Sequence, residues 1–149
     1  MIKSIHIVRR YFSFPARRRK LLRQSLLVCG TLRVLLGRLS LKTILTFLAD
    51  RQKNSVRATQ AKEVDKDEIL WSVRTVSRRL PGTTCLLRAI AAKYLLELYG
   101  IESRLCIGVR KEDGTSLSAH AWITIESEIV LGRVEDLDKY TPLPGLDLL

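Results

Sequence analysis

Two residues of this chain could carry out nucleophilic chemistry together: Cys85 and His120. The thiolate is the nucleophilic form of cysteine. An imidazole within hydrogen-bond reach can hold it ionised and later protonate a leaving amine, and a third polar group usually orients that imidazole. Each residue also has a plain structural reading. Free cysteine is among the most buried residue types, and a single strand histidine often does no more than pack. Cys106 is a rival nucleophile, but its mid-strand position lacks a helix terminus to favour the thiolate, so it reads as structural. Cys29 falls in a leucine-rich stretch and reads as packing. Two histidines and no CxxC pair argue against zinc, so no metal is expected.

The elements that must position this pair can be read around them. Leu80-Pro81-Gly82 breaks whatever precedes it, and Thr83 or Thr84 can cap a helix. Leu87, Ile90, Ala91, Tyr94, Leu95 and Leu98 then recur at i, i+3, i+4, i+7. Gly100 stands where a left-handed C-terminal cap belongs. The spacing predicts a helix from about Cys85 to about Tyr99, with the cysteine in its first turn, where the helix dipole favours negative charge. After Gly100 the period drops to two. Residues 104–110 read as a strand with Leu105, Ile107 and Val109 on one face, and Asp113-Gly114 as a turn. Leu117 to Ile125 is a second strand, with Ala119, Ala121, Ile123 and Ile125 on one face and His120, Trp122 and Thr124 on the other. Residues 129–131 form a third short strand, and the tail beyond Gly132 shows no clear element.

Upstream, Asp65 or Asp67 starts a helix carrying Ile69, Leu70, Val73, Val76 and Leu80, with Arg74, Arg78 and Arg79 on its exposed side. Trp71 is expected in the core. Residues 51–65 are polar and read as a linker. Pro15 is placed to open a helix from about Ala16, Gly37 and Ser40 suggest a break, and a second short helix is expected over 41–50. Residues 1–62 hold 15 Lys/Arg and a single acid, Asp50; residues 63–149 hold 11 Lys/Arg and 14 acids, so the net charge of +11 resides in the N-terminal part. We therefore expect a basic helical arm over 1–62 and a globular α+β unit over 63–149. The arm's basic start before an apolar run looks like a secretory signal, but Arg33, Arg38 and Lys42 interrupt it and no small-residue cleavage site follows. It is also too charged to span a bilayer. Three cysteines without regular spacing make no disulfide framework, which points to a reducing compartment and a cytoplasmic location. The arm's charge suits an acidic protein partner or weak contact with an anionic membrane surface. Nucleic acid is not expected, because no binding motif accompanies the charge.

The motifs Pro81-Gly82-x-x-Cys85-Leu86-x-Arg88-Ala89, Leu95-Leu96, Gly100-Ile101, Leu105-x-Ile107-Gly108-Val109 and Ala119-His120-Ala121-Trp122 occur in that order. Together they resemble the transglutaminase-like cysteine protease domain of lasso-peptide maturation, the leader peptidase. The Phe14-Pro15-Arg-Arg-Arg run in a basic arm is similar to the free-standing form of that family. The resemblance implies a papain-like core, with the cysteine helix packed on a small antiparallel sheet. It implies removal of the leader from a ribosomally made precursor, with Cys85 as nucleophile and His120 as general base. The implied partners are the precursor peptide, a separate leader-recognition protein, for which this chain has no spare domain, and a cyclase resembling asparagine synthetase. Some members depend on ATP, yet no Walker-type glycine loop is present, so no cofactor is expected here and a nucleotide requirement would belong to the assembly. The family's third triad member is an acid on the strand after the histidine strand, where this chain has Gly132. Glu135, Asp136 or a backbone carbonyl are the alternatives. A transglutaminase-like scaffold without activity, presenting the precursor to the cyclase, is the competing expectation.

Overall fold

Apolar spacing and local caps set the helices. The computed structural model describes residues 12–44, 46, 64–112 and 116–143. Helix α1 spans Ala16–Leu36 and is preceded by Pro15, whose fixed φ of −52° suits a helix entrance. It stops at Gly37, and Ser40 Oγ accepts the Thr43 amide at 3.2 Å to open a further helical stretch at 41–44. The rest of the short helix expected up to Asp50, and most of the expected linker, lie outside the described residues. Helix α2 spans Lys66–Ser77, with Asp65 as its cap accepting the Asp67 amide. It ends three residues earlier than the apolar spacing suggests. Residues 78–82 form turns, as the residue before a proline is pushed out of helical geometry. Helix α3 spans Cys85–Leu98, and Gly100 beyond it has φ +73°.

Four antiparallel strands complete the chain: β1 (Arg104–Lys111), β2 (Leu117–Ile125), β3 (Glu128–Leu131) and β4 (Thr141–Pro142). Their order is β3-β2-β1-β4, and a short 3-10 turn at Leu137–Lys139 leads into β4. The architecture is α+β, with the helical part at the N-terminus. In the β1–β2 ladder, Leu105 stands opposite Ile123, Ile107 opposite Ala121, and Gly108 opposite His120.

One hydrophobic core joins the helices to a single face of this sheet. Leu21, Cys29 and Leu32 of α1 enter it, with Ile69 and Val73 of α2, Leu87, Ala91 and Leu95 of α3, and Leu105, Ala121, Ile123 and Leu131 of the sheet. Small groups let α1 and α2 approach closely: the buried hydroxyls of Ser25 and Ser72 hydrogen-bond at 2.7 Å, and Ser72 also reaches the Ile69 carbonyl. Tyr99 donates to Gln24 of α1 at 2.7 Å, tying the end of α3 to the arm helix. Helix α1 thus lies packed against α2 and α3. Trp71 is only half-buried: Phe14 meets its ring edge-on at 5.3 Å and the Arg18 guanidinium lies 5.4 Å from it.

Cys29 makes a testable contribution here. Burial pushes its thiol from 9.0 up to about 11, with the Arg88 charge offsetting part of that effect. The folded state therefore holds this proton more tightly than the unfolded chain. Its stability contribution is intact below pH 9 and is lost as pH rises toward 11. Two units correspond to roughly 3 kcal/mol at most. Urea unfolding at pH 8 and pH 11 should show a smaller alkaline loss in Cys29→Ala than in the unsubstituted protein. Equal losses in both would contradict the assignment.

Candidate active site

The turn before α3 fixes where its first residue sits. Thr84 takes the cap position with extended backbone (φ −93°, ψ 166°), and its Oγ1 accepts the Leu87 amide at 3.2 Å. Thr83 instead donates its hydroxyl to the Leu80 carbonyl at 2.7 Å, so of the two candidate caps Thr84 does the capping. The first intrahelical bond runs from the Arg88 amide to the Thr84 carbonyl. The amides of Cys85 and Leu86 precede it and point out of the helix start, as the first amides of any helix do. Cys85 is half-buried there, as is Cys106 in mid-strand, and none of the three cysteines is in a disulfide.

His120 is the fourth residue of β2. Alternation sends Ala121 and Ile123 into the core and His120 and Trp122 to the other face of the sheet. On that face the His120 ring stacks on Trp122, with centroids 6.3 Å apart at 17°, and packs against Tyr140 at 5.6 Å. Gly108 lies opposite, and its missing side chain makes the room: a Cβ there would fall 2.9 Å from Trp122 and 3.0 Å from Tyr140.

A backbone group orients the imidazole. His120 Nε2 lies 2.7 Å from the Gly132 carbonyl oxygen. A carbonyl only accepts, so Nε2 carries the proton and Nδ1 keeps its lone pair when the ring is neutral. Neither acid weighed for this role touches His120 among the described residues. Glu135 is exposed. Asp136 pairs with Arg110, which also lies 5.0 Å from the Tyr140 ring and 3.3 Å from Glu112. Asp136 thus reaches the site indirectly, by fixing Arg110 against Tyr140, which packs on His120. Tyr140 and Arg110 are the site neighbours that sequence reasoning missed. The tail carrying Tyr140 has no periodicity to reveal it.

No hydrogen bond joins Cys85 to His120 among the described residues. What brings their surroundings together is the sheet edge. β3 is the edge strand, and the chain leaving it sets Gly132 beside the Ala121–Trp122 backbone. Gly132, which holds His120, and Arg88, one turn beyond Cys85, line the same cleft of about 340 Å³. Arg74, Arg78 and Arg133 line it too. Among the described residues no cluster of three His, Cys, Asp or Glu could hold a metal ion, and no helix is long and apolar enough to cross a membrane.

No curated protein and no solved structure gives a significant match to the chain. The family comparison does: residues 26–145, from the middle of α1 to just past β4, match the transglutaminase-like superfamily. A cysteine heading a helix that packs on an antiparallel sheet bearing a histidine is the arrangement that this match spans, and the chain belongs to the transglutaminase-like superfamily.

Proposed function

We propose that this protein is a cysteine peptidase that removes the leader from a ribosomally made lasso-peptide precursor, with Cys85 as nucleophile and His120 as general base and acid. The observation that carries the reading is the His120–Gly132 hydrogen bond. It leaves Nδ1 as the basic nitrogen on a strand against which the Cys85 helix packs, in a chain of a superfamily compatible with this chemistry.

In the proposed reaction the Cys85 proton passes to His120 Nδ1 and the thiolate attacks the scissile carbonyl. The amides of Cys85 and Leu86 stabilise the oxyanion. The C–N bond breaks as the imidazolium protonates the departing amine. Water, deprotonated by His120, then cleaves the thioester and restores the thiol. Hydrogen bonds between catalytic groups often form only once substrate is bound, so the free protein need not hold the thiol and imidazole in contact.

The partners in this reading are the precursor peptide, a separate leader-recognition protein and an asparagine-synthetase-like cyclase, in the cytoplasm. The outer side of α1 suits such docking, since Leu26, Leu27 and Val34 are exposed there among Arg23, Arg33 and Arg38. Weak contact of the same surface with an anionic membrane is the lesser alternative. The chain itself needs no cofactor, and any ATP requirement belongs to the assembly.

One observation favours a second reading, a scaffold without activity that presents the precursor to the cyclase. His120 projects from the sheet face opposite the core and is not hydrogen-bonded to Cys85. Two measurements separate the readings. Mass spectrometry of the precursor incubated with this protein and the leader-recognition partner should show leader and core as separate products. A thiol-reactive probe should label Cys85 ahead of Cys29 and Cys106. An intact precursor together with an inert Cys85 would establish the scaffold.

A further inference from the structure

The cleft beside the start of α3 concentrates positive charge to a degree that the peptidase chemistry does not require. Arg74 and Arg78 come from the end of α2, Arg88 from the second turn of α3, and Arg133 from the segment after β3. Ile129, Val130, Leu131 and Gly132 form the remaining wall, and no carboxylate lines the cleft. None of the four guanidinium groups forms an ion pair among the described residues. Arg74 donates to the Val130 carbonyl at 2.5 Å, which holds its charge at the cleft wall without neutralising it.

Arg88 is the most telling of the four. Its Nε is buried and has no hydrogen-bond partner among the described residues. A buried donor left unsatisfied costs about 1–3 kcal/mol. The Arg88 charge is felt by the Cys29 thiol, which keeps its proton at neutral pH and so supplies no counter-charge. Four like charges line a cleft of about 340 Å³, with an unmet donor among them. Guanidinium groups present planar forks that match the two oxygens of a carboxylate.

We propose that this cleft is a subsite for an acidic side chain of a bound peptide, held by Arg88 and Arg133 about one helical turn from Cys85. Calling that peptide the substrate rests on the peptidase reading, but its binding does not. The subsite gives the protein a means to choose peptides that carry a Glu or Asp near the point where the chain passes the helix start.

The test measures binding with cleavage removed. Full-length Cys85→Ala is titrated into a fluorescein-labelled octapeptide carrying three Glu and, separately, into the same peptide with three Gln, read by fluorescence anisotropy. The Glu peptide is expected to bind about tenfold more tightly, as charge-assisted bidentate pairs outweigh neutral ones. The double substitution Arg78→Gln/Arg133→Gln removes two exposed cleft charges and should erase that preference. Arg104→Gln/Lys111→Gln removes the same charge from exposed positions of β1 and should change affinity by less than about twofold, as screened surface charges do. Arg88→Gln is a third variant, checked for folding by thermal melting. Equal Glu and Gln affinities overturn the proposal, as does equal weakening by the two double variants, which would mark general attraction to a basic protein. Complete displacement of the Glu peptide by equimolar inorganic phosphate also overturns it, by assigning the cleft to phosphate. If the acidic peptide binds as expected while the unsubstituted protein fails to process precursor, the subsite stands and the peptidase reading falls.

Discussion

On the proposed peptidase reading, Cys85→Ala should abolish leader removal while leaving a folded protein that still binds the precursor. Loss of a nucleophile from a cooperating pair typically lowers turnover by about 10⁴-fold or more, because the remaining groups have nothing to activate. The structural cost should be small. Cys85 is half-buried, its side chain hydrogen-bonds no described group, and the helix start is held by Thr84, which the substitution does not touch. A change at such a position costs less than about 1 kcal/mol. Alanine also keeps the helix geometry and the two free amides. The measurement is mass spectrometry of precursor processing, beside a thermal melt of the variant. Cys106→Ala serves as the comparison, since Cys106 stands in mid-strand opposite Trp122 and should be dispensable for cleavage. Full processing by Cys85→Ala, or loss of processing in Cys106→Ala alone, would remove Cys85 from the mechanism. His120→Ala is the less clean experiment. It also empties the space between Trp122 and Tyr140, so it mixes lost chemistry with lost packing.

Local patterns carried much of this structure in plain view. Strict alternation gave β2 as Leu117–Ile125 and separated His120 from Ala121 before any fold was known. The cap, the apolar spacing and the terminal glycine gave α3 to within a residue at its end. These are short-range signals, and the core agrees with them. What stayed hidden depends on residues far apart in sequence. Arg74 and Arg78 read as the exposed side of one helix, and only tertiary packing sets them beside Arg88 and Arg133. β4 is two residues long and contains Pro142, which sits at the sheet edge, so neither period nor propensity announces it. The partner of His120 was hidden for a different reason. A backbone carbonyl belongs to every residue and leaves no mark on residue type, and the sequence pattern directs attention to side-chain acids.

That same carbonyl makes position 132 the most sensitive one in the site. Gly132→Ala should destabilise the protein by about 3 kcal/mol, since a non-glycine residue in the left-handed region alone costs roughly 1–3 kcal/mol. Gly132 has φ +86°, and its added Cβ would lie 2.7 Å from the Ala121 carbonyl oxygen and 2.9 Å from Trp122 Cα. Those are main-chain atoms of a strand paired on both sides, so they have no rotamer by which to yield. For a chain of this size, a loss of that order lowers the melting temperature by about 6–12 °C. It also moves the carbonyl that fixes the His120 tautomer, so the peptidase reading expects turnover to fall further than the melt alone explains at a temperature where the variant is folded. Gly132→Asp is the sharper version. It puts an acid where the resemblance to leader peptidases would have one, yet its Cβ meets the same wall, so it should be no more stable than Gly132→Ala and should not raise activity. Arg133→Ala, one residue on and exposed, should melt within a degree or two of the unsubstituted protein, as surface changes usually do. A Gly132→Asp protein that melts normally and cleaves faster would show that His120 takes its partner from a side chain at 132. The carbonyl would then be only a neighbour.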